Sequence, residues 1–388
     1  MRRRLIVMGA SGSIGTQTID VVEQHHDDLS IIGMAVGRRT ETLEKHLAHH
    51  RLPYACVEMP DDARRLAARY PHTVFFCGDE GLLHLCAVRD YDLAVNALQG
   101  FVGLRPTLEV IKSGRDVALA NKETLVAGGS LVTAAAKRHK VSILPIDSEH
   151  SAIWQCMRGG RRKEVRRLII TASGGALRQL TRDQLPHVTV QQALCHPTWS
   201  MGAKITIDCA TMMNKGFEVI EAHWLFGLGY DRIDVVLHPQ SIIHSMVEFD
   251  DHAVLAQMGV SDMRIPIQYA LSYPQRWPDD TASLDLTAIG TLAFSAMDMV
   301  RYPLLKLAYD VGRKGGNLPA VMNGANETAV RLFLDGNIGL LDIEKAIFAA
   351  VDQAGFIEHP DLADIIAADG WAHEFVMNGC WKRTETIK

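Results

Sequence analysis

Short apolar runs alternate with longer amphipathic stretches through the first 146 residues of the chain. Apolar runs at 5–8, 30–36, 54–57, 73–76, 93–95, 117–120 and 141–146 read as strands, and 14–24 repeats with helical spacing. That alternation predicts an α/β fold whose N-terminal part is a Rossmann-like doubly wound sheet, mostly parallel, with ligand sites at the carboxyl ends of its strands. Between about 150 and 275, the segments 168–171, 204–208, 235–237 and 245–249 read as further strands separated by Gly- and Pro-containing loops, which predicts an α+β domain. Residues 273–291 hold no sustained periodicity and read as a linker. Beyond 300, the amphipathic stretches 303–311, 326–335 and 342–355 predict a C-terminal helical bundle. The expected boundaries are 1–149, 150–272, a linker at 273–297, and 298–388.

Composition narrows the partners. A chain of 388 residues exceeds what one core usually holds, and 47% hydrophobic with 22% charged residues is ordinary for a soluble globular protein. With 40 Lys and Arg against 45 Asp and Glu, the net charge of -5 argues against a nucleic-acid surface. The local run Arg158 to Lys163 with Arg166 and Arg167 reads as a solvated loop entering a strand. Seven scattered cysteines without a Cys-x-x-Cys pair suit a reducing compartment, and exclude a disulfide framework or zinc site. No apolar run approaches the roughly 18 residues that a membrane helix needs, and the run after Arg2-Arg3-Arg4 is too short for a secretory segment. A cytoplasmic location is expected, with no membrane partner.

The candidate chemistry stands at predicted strand ends. Gly9-Ala10-Ser11-Gly12-Ser13-Ile14-Gly15 joins the first strand to the first helix, an order that lets a pyrophosphate approach the backbone at a helix N-terminus. After the second strand come Gly37, Arg38 and Arg39 in place of the acidic residue expected for a free ribose 2'-hydroxyl, and two guanidinium groups favour the 2'-phosphate of NADPH. Ala120-Asn121-Lys122-Glu123 follows another strand on the same edge. Asp147 and Glu149, two apart in an extended segment, would face one point and call for a divalent cation; the competing reading is a solvated Asp-Ser-Glu loop. Asn214, Lys215 and Glu218 fall within one helical turn, with an amide, a cation and a carboxylate able to serve a phosphate and a metal together. Ser173-Gly174-Gly175 offers a second phosphate nest. Trp224 and Trp371 read as core or interface aromatics, and His238 and His244 as structural. The histidines at 25, 26, 46, 49 and 50 read as surface positions lacking a carboxylate at ligand spacing.

Taken in order, GASGSIG, ANKETLV, LPIDSEHSAIWQ, TASGGALR, HPTWSMGAKITIDCATMMNKGFEVIEAHWLF and HPQSIIHSMVEF resemble the 1-deoxy-D-xylulose 5-phosphate reductoisomerase family over essentially the whole chain. The resemblance implies rearrangement and reduction of 1-deoxy-D-xylulose 5-phosphate to 2-C-methyl-D-erythritol 4-phosphate in non-mevalonate isoprenoid synthesis. NADPH and a divalent cation (Mg²⁺, Mn²⁺ or Co²⁺) would be the cofactors. It implies an NADPH-binding first domain, a catalytic and dimerisation second domain with a lid at 196–202, and a homodimer. By the same resemblance Asp147, Glu149 and Glu218 would be the metal ligands, with Lys122 and His196 catalytic beside them. Lys122, Ser148, Glu149, Ser173, His196, Trp199, Cys209, Asn214, Lys215 and Glu218 would meet substrate. Ser11, Gly12, Ser13, Ile14, Gly37, Arg38, Arg39, Asn121, Glu123 and Gly202 would line the NADPH site. Two positions depart from the family pattern: Cys209 replaces a serine that bonds phosphate, a weaker donor, and Arg39 replaces an asparagine. An NADPH-dependent dehydrogenase of another sugar phosphate, without isomerisation, is the alternative. A nucleotide-sensing regulatory protein is the reading from a different class.

Overall fold

The computed structural model describes residues 2–199 and 201–382, and the chain divides into two compact units. The first gathers Met1–Thr124, Val132–Ser151 and Asp262–Thr281; the second gathers Leu125–Leu131, Ala152–Ser261 and Ala282–Lys388.

All seven strands expected in the N-terminal part are present. In chain order the first unit runs Arg3–Met8 (β1), Ser13–Gln24 (α1), Leu29–Ala35 (β2), Glu41–His49 (α2), Tyr54–Val57 (β3), Pro60–Arg69 (α3), Val74–Cys77 (β4) and Gly78–Ala87 (α4). It continues through Leu93–Asn96 (β5), Leu104–Lys112 (α5), Asp116–Leu119 (β6), Lys122–His139 (α6), Ile143–Pro145 (β7) and the start of Ser148–Cys156 (α7). The strands pair in the order β4-β3-β2-β1-β5-β6-β7, every neighbour parallel. Consecutive parallel strands need a crossover, and the helices between them supply it. The chain works outward from β1 to β4 and then restarts on the other side at β5. The carboxyl ends of β1 and β5 therefore flank the point where the winding reverses, which is where open α/β sheets leave a crevice. Leu5, Ile6, Val7 and Met8, all fully buried, together with Leu93, Ala94 and Val95, form the centre of this sheet.

The second unit carries Val165–Ala172 (β8), Val190–Leu194 (α8), Ala203–Ala210 (α9), Met213–Phe226 (α10), Ile233–Leu237 (β9), Ile243–Phe249 (β10) and Val254–Met258 (β11). Arg264–Ser272 (α11) belongs to the first unit, where Arg3 donates to the Leu271 carbonyl at 2.8 Å. The second unit resumes with Leu286–Ile289 (α12), Ser295–Ala296 (β12), Pro303–Lys314 (α13), Leu318–Leu334 (α14), Leu340–Gln353 (α15) and Leu362–Met377 (α16). Its sheet is mixed, in the order β11-β10-β8-β9-β12, with β8 and β9 parallel and the remaining pairs antiparallel. The basic residues entering β8 are exposed, and Arg167 among them bonds Glu248 on β10 and Asp234 on β9, each at 2.6 Å.

One expected strand is a helix. Residues 204–208 alternate Lys-Ile-Thr-Ile-Asp and read as β by period, but they lie inside α9. Five residues are too few to separate the two periods. In the helix, Lys204 and Asp208 meet at i,i+4 spacing 3.0 Å apart, and buried Asp208 also accepts from Asn326 at 2.8 Å. The segment read as a linker is not wholly irregular either, since α12 lies within it and β12 adds a short antiparallel edge to β9. No helix among the described residues is long and apolar enough to cross a membrane.

Candidate active site

In the first unit the predicted residues collect at the carboxyl edge of the sheet. Gly9 turns the chain after β1 with φ +81°, and a Cβ there would lie 2.4 Å from the Ala97 carbonyl oxygen just beyond β5. Only glycine fits that approach at that φ. Gly15 is equally confined, its Cβ position 2.3 Å from the Gly9 oxygen. The loop is thus folded on itself at the winding reversal, and Gly12 caps α1 without any side-chain hydrogen bond. The first amide groups of α1 remain available to an anion. Arg38 and Arg39 stand exposed beyond β2, with Arg38 Nε donating to Glu58 at 2.9 Å.

Asn121 is buried, and its side chain is spent on architecture. Its carbonyl oxygen caps α6 through Thr124 N at 2.9 Å, and its amide donates to the carbonyls of Leu98 and Gly100. This fixes the start of α6, so that Lys122, one residue on, meets Asp147 with Nζ 2.6 Å from Oδ2. Burial alone would raise the Asp147 carboxyl, yet the Lys122 ammonium, with help from His150, holds it well below the usual carboxylate range. His150 is fully buried behind it, Nδ1 3.8 Å from Oδ1. The sequence reading passed over His150; its place three residues after Asp147 was the available signal.

The geometric premise for the carboxylate pair needs correction. Asp147 lies past the end of β7, and Ser148 already opens α7, so Glu149 is in a helical first turn and not in an extended segment. The Glu149 amide faces Asp147 Oδ1 at 3.4 Å, Ser151 N bonds the Asp147 carbonyl at 2.8 Å, and the Ser148 hydroxyl bonds the Glu149 carboxylate. Strand alternation therefore does not orient the two acids; the helix start does.

The second unit assembles its own set. Met212, at φ +61°, reverses the chain between α9 and α10, a conformation rare for a side chain of that size. The reversal puts Asn214 and Lys215 in the first turn of α10. As the spacing predicted, Asn214 and Glu218 share one face: Asn214 Nδ2 donates to Glu218 Oε1 at 2.5 Å and Lys215 Nζ to Oε2 at 2.6 Å, all three buried. Following β8, Gly174 and Gly175 take φ +89° and +68°, and a Cβ on Gly175 would lie 2.6 Å from the Cys209 carbonyl oxygen. The Cys209 thiol is half-buried on α9.

Ser173 and His196 are joined, and the proton positions follow. Amides of Thr198 and Trp199 point at His196 Nδ1, at 3.3 and 3.0 Å, so Nδ1 keeps its lone pair. Nε2 then carries the hydrogen and donates to Ser173 Oγ at 3.0 Å. Gly175 N also donates to that oxygen at 3.2 Å, which leaves the serine hydroxyl hydrogen free for a ligand. Burial, followed by the nearby Arg178 and Lys215 cations, lowers the His196 pKa and keeps the ring neutral. Arg178, missed in the sequence reading, donates to the Ser173 and Pro239 carbonyls. Trp199 lies 6.0 Å from His244, centroid to centroid. Gly202 caps α9, and Ser200, inside the expected lid, lies outside the described residues. His238 is structural as read: it accepts from the Ile242 and Ile243 amides through Nε2 and bonds the Ala293 carbonyl through Nδ1. Trp224 packs against Gly129, where a Cβ would come within 2.2 Å of its ring.

Comparison with known proteins agrees along the whole length. Residues 5–129 match the family described as 1-deoxy-D-xylulose 5-phosphate reductoisomerase, residues 143–226 its C-terminal domain, and residues 258–375 the DXP reductoisomerase C-terminal domain. A 1-deoxy-D-xylulose 5-phosphate reductoisomerase of Bacillus thuringiensis subsp. konkukian is 51% identical over 376 residues, 97% of this chain and 99% of that one. Its counterpart in Geobacillus kaustophilus is 52% identical over 372 residues, 95% and 97% of the two chains. Among solved structures, the enzyme of Zymomonas mobilis in complex with NADPH superposes with a TM-score of 0.90 at 40% identity, covering 96% of this chain and 98% of its own. A DOX-P reductoisomerase in complex with NADPH, fosmidomycin and magnesium gives 0.92 at 36% identity, with 99% of each chain covered. The chain belongs to the 1-deoxy-D-xylulose 5-phosphate reductoisomerase family.

Proposed function

We propose that this chain rearranges and reduces 1-deoxy-D-xylulose 5-phosphate to 2-C-methyl-D-erythritol 4-phosphate with NADPH and a divalent cation. The observation that carries the reading is the pairing of each buried acid with a buried amine: Asp147 with Lys122 and Glu218 with Lys215. Asp147, Glu149 and Glu218 are hard oxygen donors of the kind that would hold Mg²⁺ or Mn²⁺. When bound, the cation supplies Lewis-acid polarisation of the substrate's oxygens. NADPH would supply the hydride; the start of α1, where no side chain caps the amides, would hold its pyrophosphate, and Arg38 and Arg39 would pair with its 2'-phosphate.

The chain's own side chains do the rest. Lys122, released from full engagement with Asp147 as substrate enters, stabilises negative charge developing on a substrate oxygen. Asn121 and Glu123 act by holding the α6 start beside the nucleotide. Ser173, with its hydroxyl hydrogen free, grips the phosphate together with Asn214 and Lys215, and neutral His196 keeps that hydroxyl oriented. Trp199, Gly202 and the lid cover the site and exclude water. At Cys209 a thiol offers a weak contact where the family uses a hydroxyl.

A homodimer fits the exposed edge of the second unit's sheet, where β11 presents Val254 and Leu255 at 47% and 39% exposure. Seven scattered cysteines without a Cys-x-x-Cys pair fit a cytoplasmic location. The test is turnover of 1-deoxy-D-xylulose 5-phosphate with NADPH and Mg²⁺, followed by loss of NADPH absorbance and by the product's carbon skeleton. A branched skeleton is expected. An unbranched product would favour the simple dehydrogenase, and no turnover the nucleotide sensor.

A further inference from the structure

The structure brings together a group of donors outside the catalytic machinery. His46 and His50 are four apart at the C-terminal end of α2, and their rings stack with centroids 4.5 Å apart. Glu23, in the last turn of α1, reaches the same point: one nitrogen from each imidazole and one Glu23 carboxylate oxygen all lie within 4.8 Å of one another. The carboxylate missing near these histidines in the sequence is thus supplied by another helix of the same unit. From these donors we infer a binding site for a borderline transition cation, Zn²⁺ for definiteness, held by Glu23, His46 and His50 with water in the remaining position.

Three features support it independently. His46 Nδ1 is buried and has no hydrogen-bond partner, an orphaned donor or acceptor that a native fold seldom leaves. His46 in the last turn of α2 and His50 at its C-cap stand at the i,i+4 spacing that zinc-binding imidazoles use, and imidazole with carboxylate suits Zn²⁺ where Mg²⁺ prefers oxygen alone. Both helices present their C-terminal ends here, so the partial negative charge of each favours a cation. Burial, with His50 alongside, pushes the His46 pKa down to about 4, so this ring offers a lone pair at neutral pH. Donors around a tetrahedral zinc sit about 3.3 Å apart at ordinary bond lengths, so closing the site requires only a shift of the exposed Glu23 and His50 side chains. The cation would tie the ends of the two helices that flank β2, and so brace the segment carrying Arg38 and Arg39.

The experiment is Zn²⁺ uptake by the full chain in equilibrium dialysis, with NADPH present and Mg²⁺ in excess to fill the carboxylate site. His50→Gln, Glu23→Gln and a control, His26→Gln, are compared with the unmodified chain. His50 and Glu23 are exposed, and far-UV circular dichroism checks that their variants fold. The expected result is one more Zn²⁺ per chain in the unmodified protein and in His26→Gln than in His50→Gln. Zinc affinity should also fall by at least about tenfold in Glu23→Gln, since even loss of a group behind a ligand costs that much. Equal uptake by the unmodified protein and His50→Gln, at any stoichiometry, would overturn the site.

Discussion

Lys122 and Asp147 show what a single buried pair decides. Each is about 9% exposed, and removing the amine leaves a carboxylate in a dry setting without its counter-charge. Lys122→Ala is therefore expected to raise the Asp147 pKa and to lower kcat/KM by roughly a hundredfold or more, the scale seen when one charge-stabilising donor is removed. A variant within about threefold of the unmodified enzyme would take Lys122 out of the reacting centre. At the nucleotide, Arg38→Ala combined with Arg39→Ala should cut the preference for NADPH over NADH by roughly tenfold or more, as loss of charge-assisted phosphate contacts requires; an unchanged ratio of kcat/KM values contradicts the assignment. These side chains were legible because residue type and strand-end position point to their chemistry. Their orientation was not. Asp147 and Glu149 were read as neighbours on a strand, whereas a helix start sets their directions, and the Asn121 cap on α6 is a local bond that composition does not announce.

Elements were legible where the period ran long or the chain order was diagnostic. The seven parallel strands follow from alternation with helices, and the glycine loop from its place between β1 and α1. Its first glycine can be tested: Gly9→Ala must adopt φ +81° against the Ala97 carbonyl, and should lower the denaturation midpoint by at least the equivalent of about 1–2 kcal/mol, with weaker NADPH binding. A midpoint equal to that of the unmodified chain would mean the loop relaxes freely. Short elements failed for the reason seen at α9, where five alternating residues carry no period of their own and burial of Asp208 against Asn326 decides. The last helix, α16, falls within the bundle expected over 298–388, though no separate periodic segment marks it there, and it holds a titrating contact. His373 Nε2 lies 3.2 Å from Asp369 Oδ2, and the Thr328 hydroxyl of α14 is 2.6 Å from Nδ1. The Asp369 hydrogen bond raises the His373 pKa above its ordinary 6.5, with Glu327 adding to it, while burial and Arg331 oppose it. A raised folded-state pKa contributes stability that is complete below about pH 6.5 and is lost as pH climbs through the folded value. The midpoint gap between the unmodified chain and His373→Gln should accordingly shrink as pH rises above 6.5; a pH-independent gap would sink this account of the contact.

At the scale of the whole molecule, the chain folds as two compact units, and each carries residues on which the proposed function rests. The nucleotide loop, Lys122, Asp147 and Glu149 belong to the first, and Ser173, His196, Asn214, Lys215 and Glu218 to the second. The sequence resemblance spans both, and the family comparison covers both at about half identity. Association is testable apart from chemistry: sedimentation velocity should give twice the mass of the 42.8 kDa chain, and a charge introduced by Leu255→Asp should shift the protein toward monomer. A dimer unaffected by Leu255→Asp would move the interface away from β11. The proposed function makes Glu218 a ligand of the divalent cation. Turnover of Glu218→Gln against Mg²⁺ concentration tests it most directly. Severe loss of activity at limiting Mg²⁺ is expected, with any residual rate demanding much more metal than the unmodified enzyme. Full turnover by Glu218→Gln at limiting Mg²⁺ would contradict it.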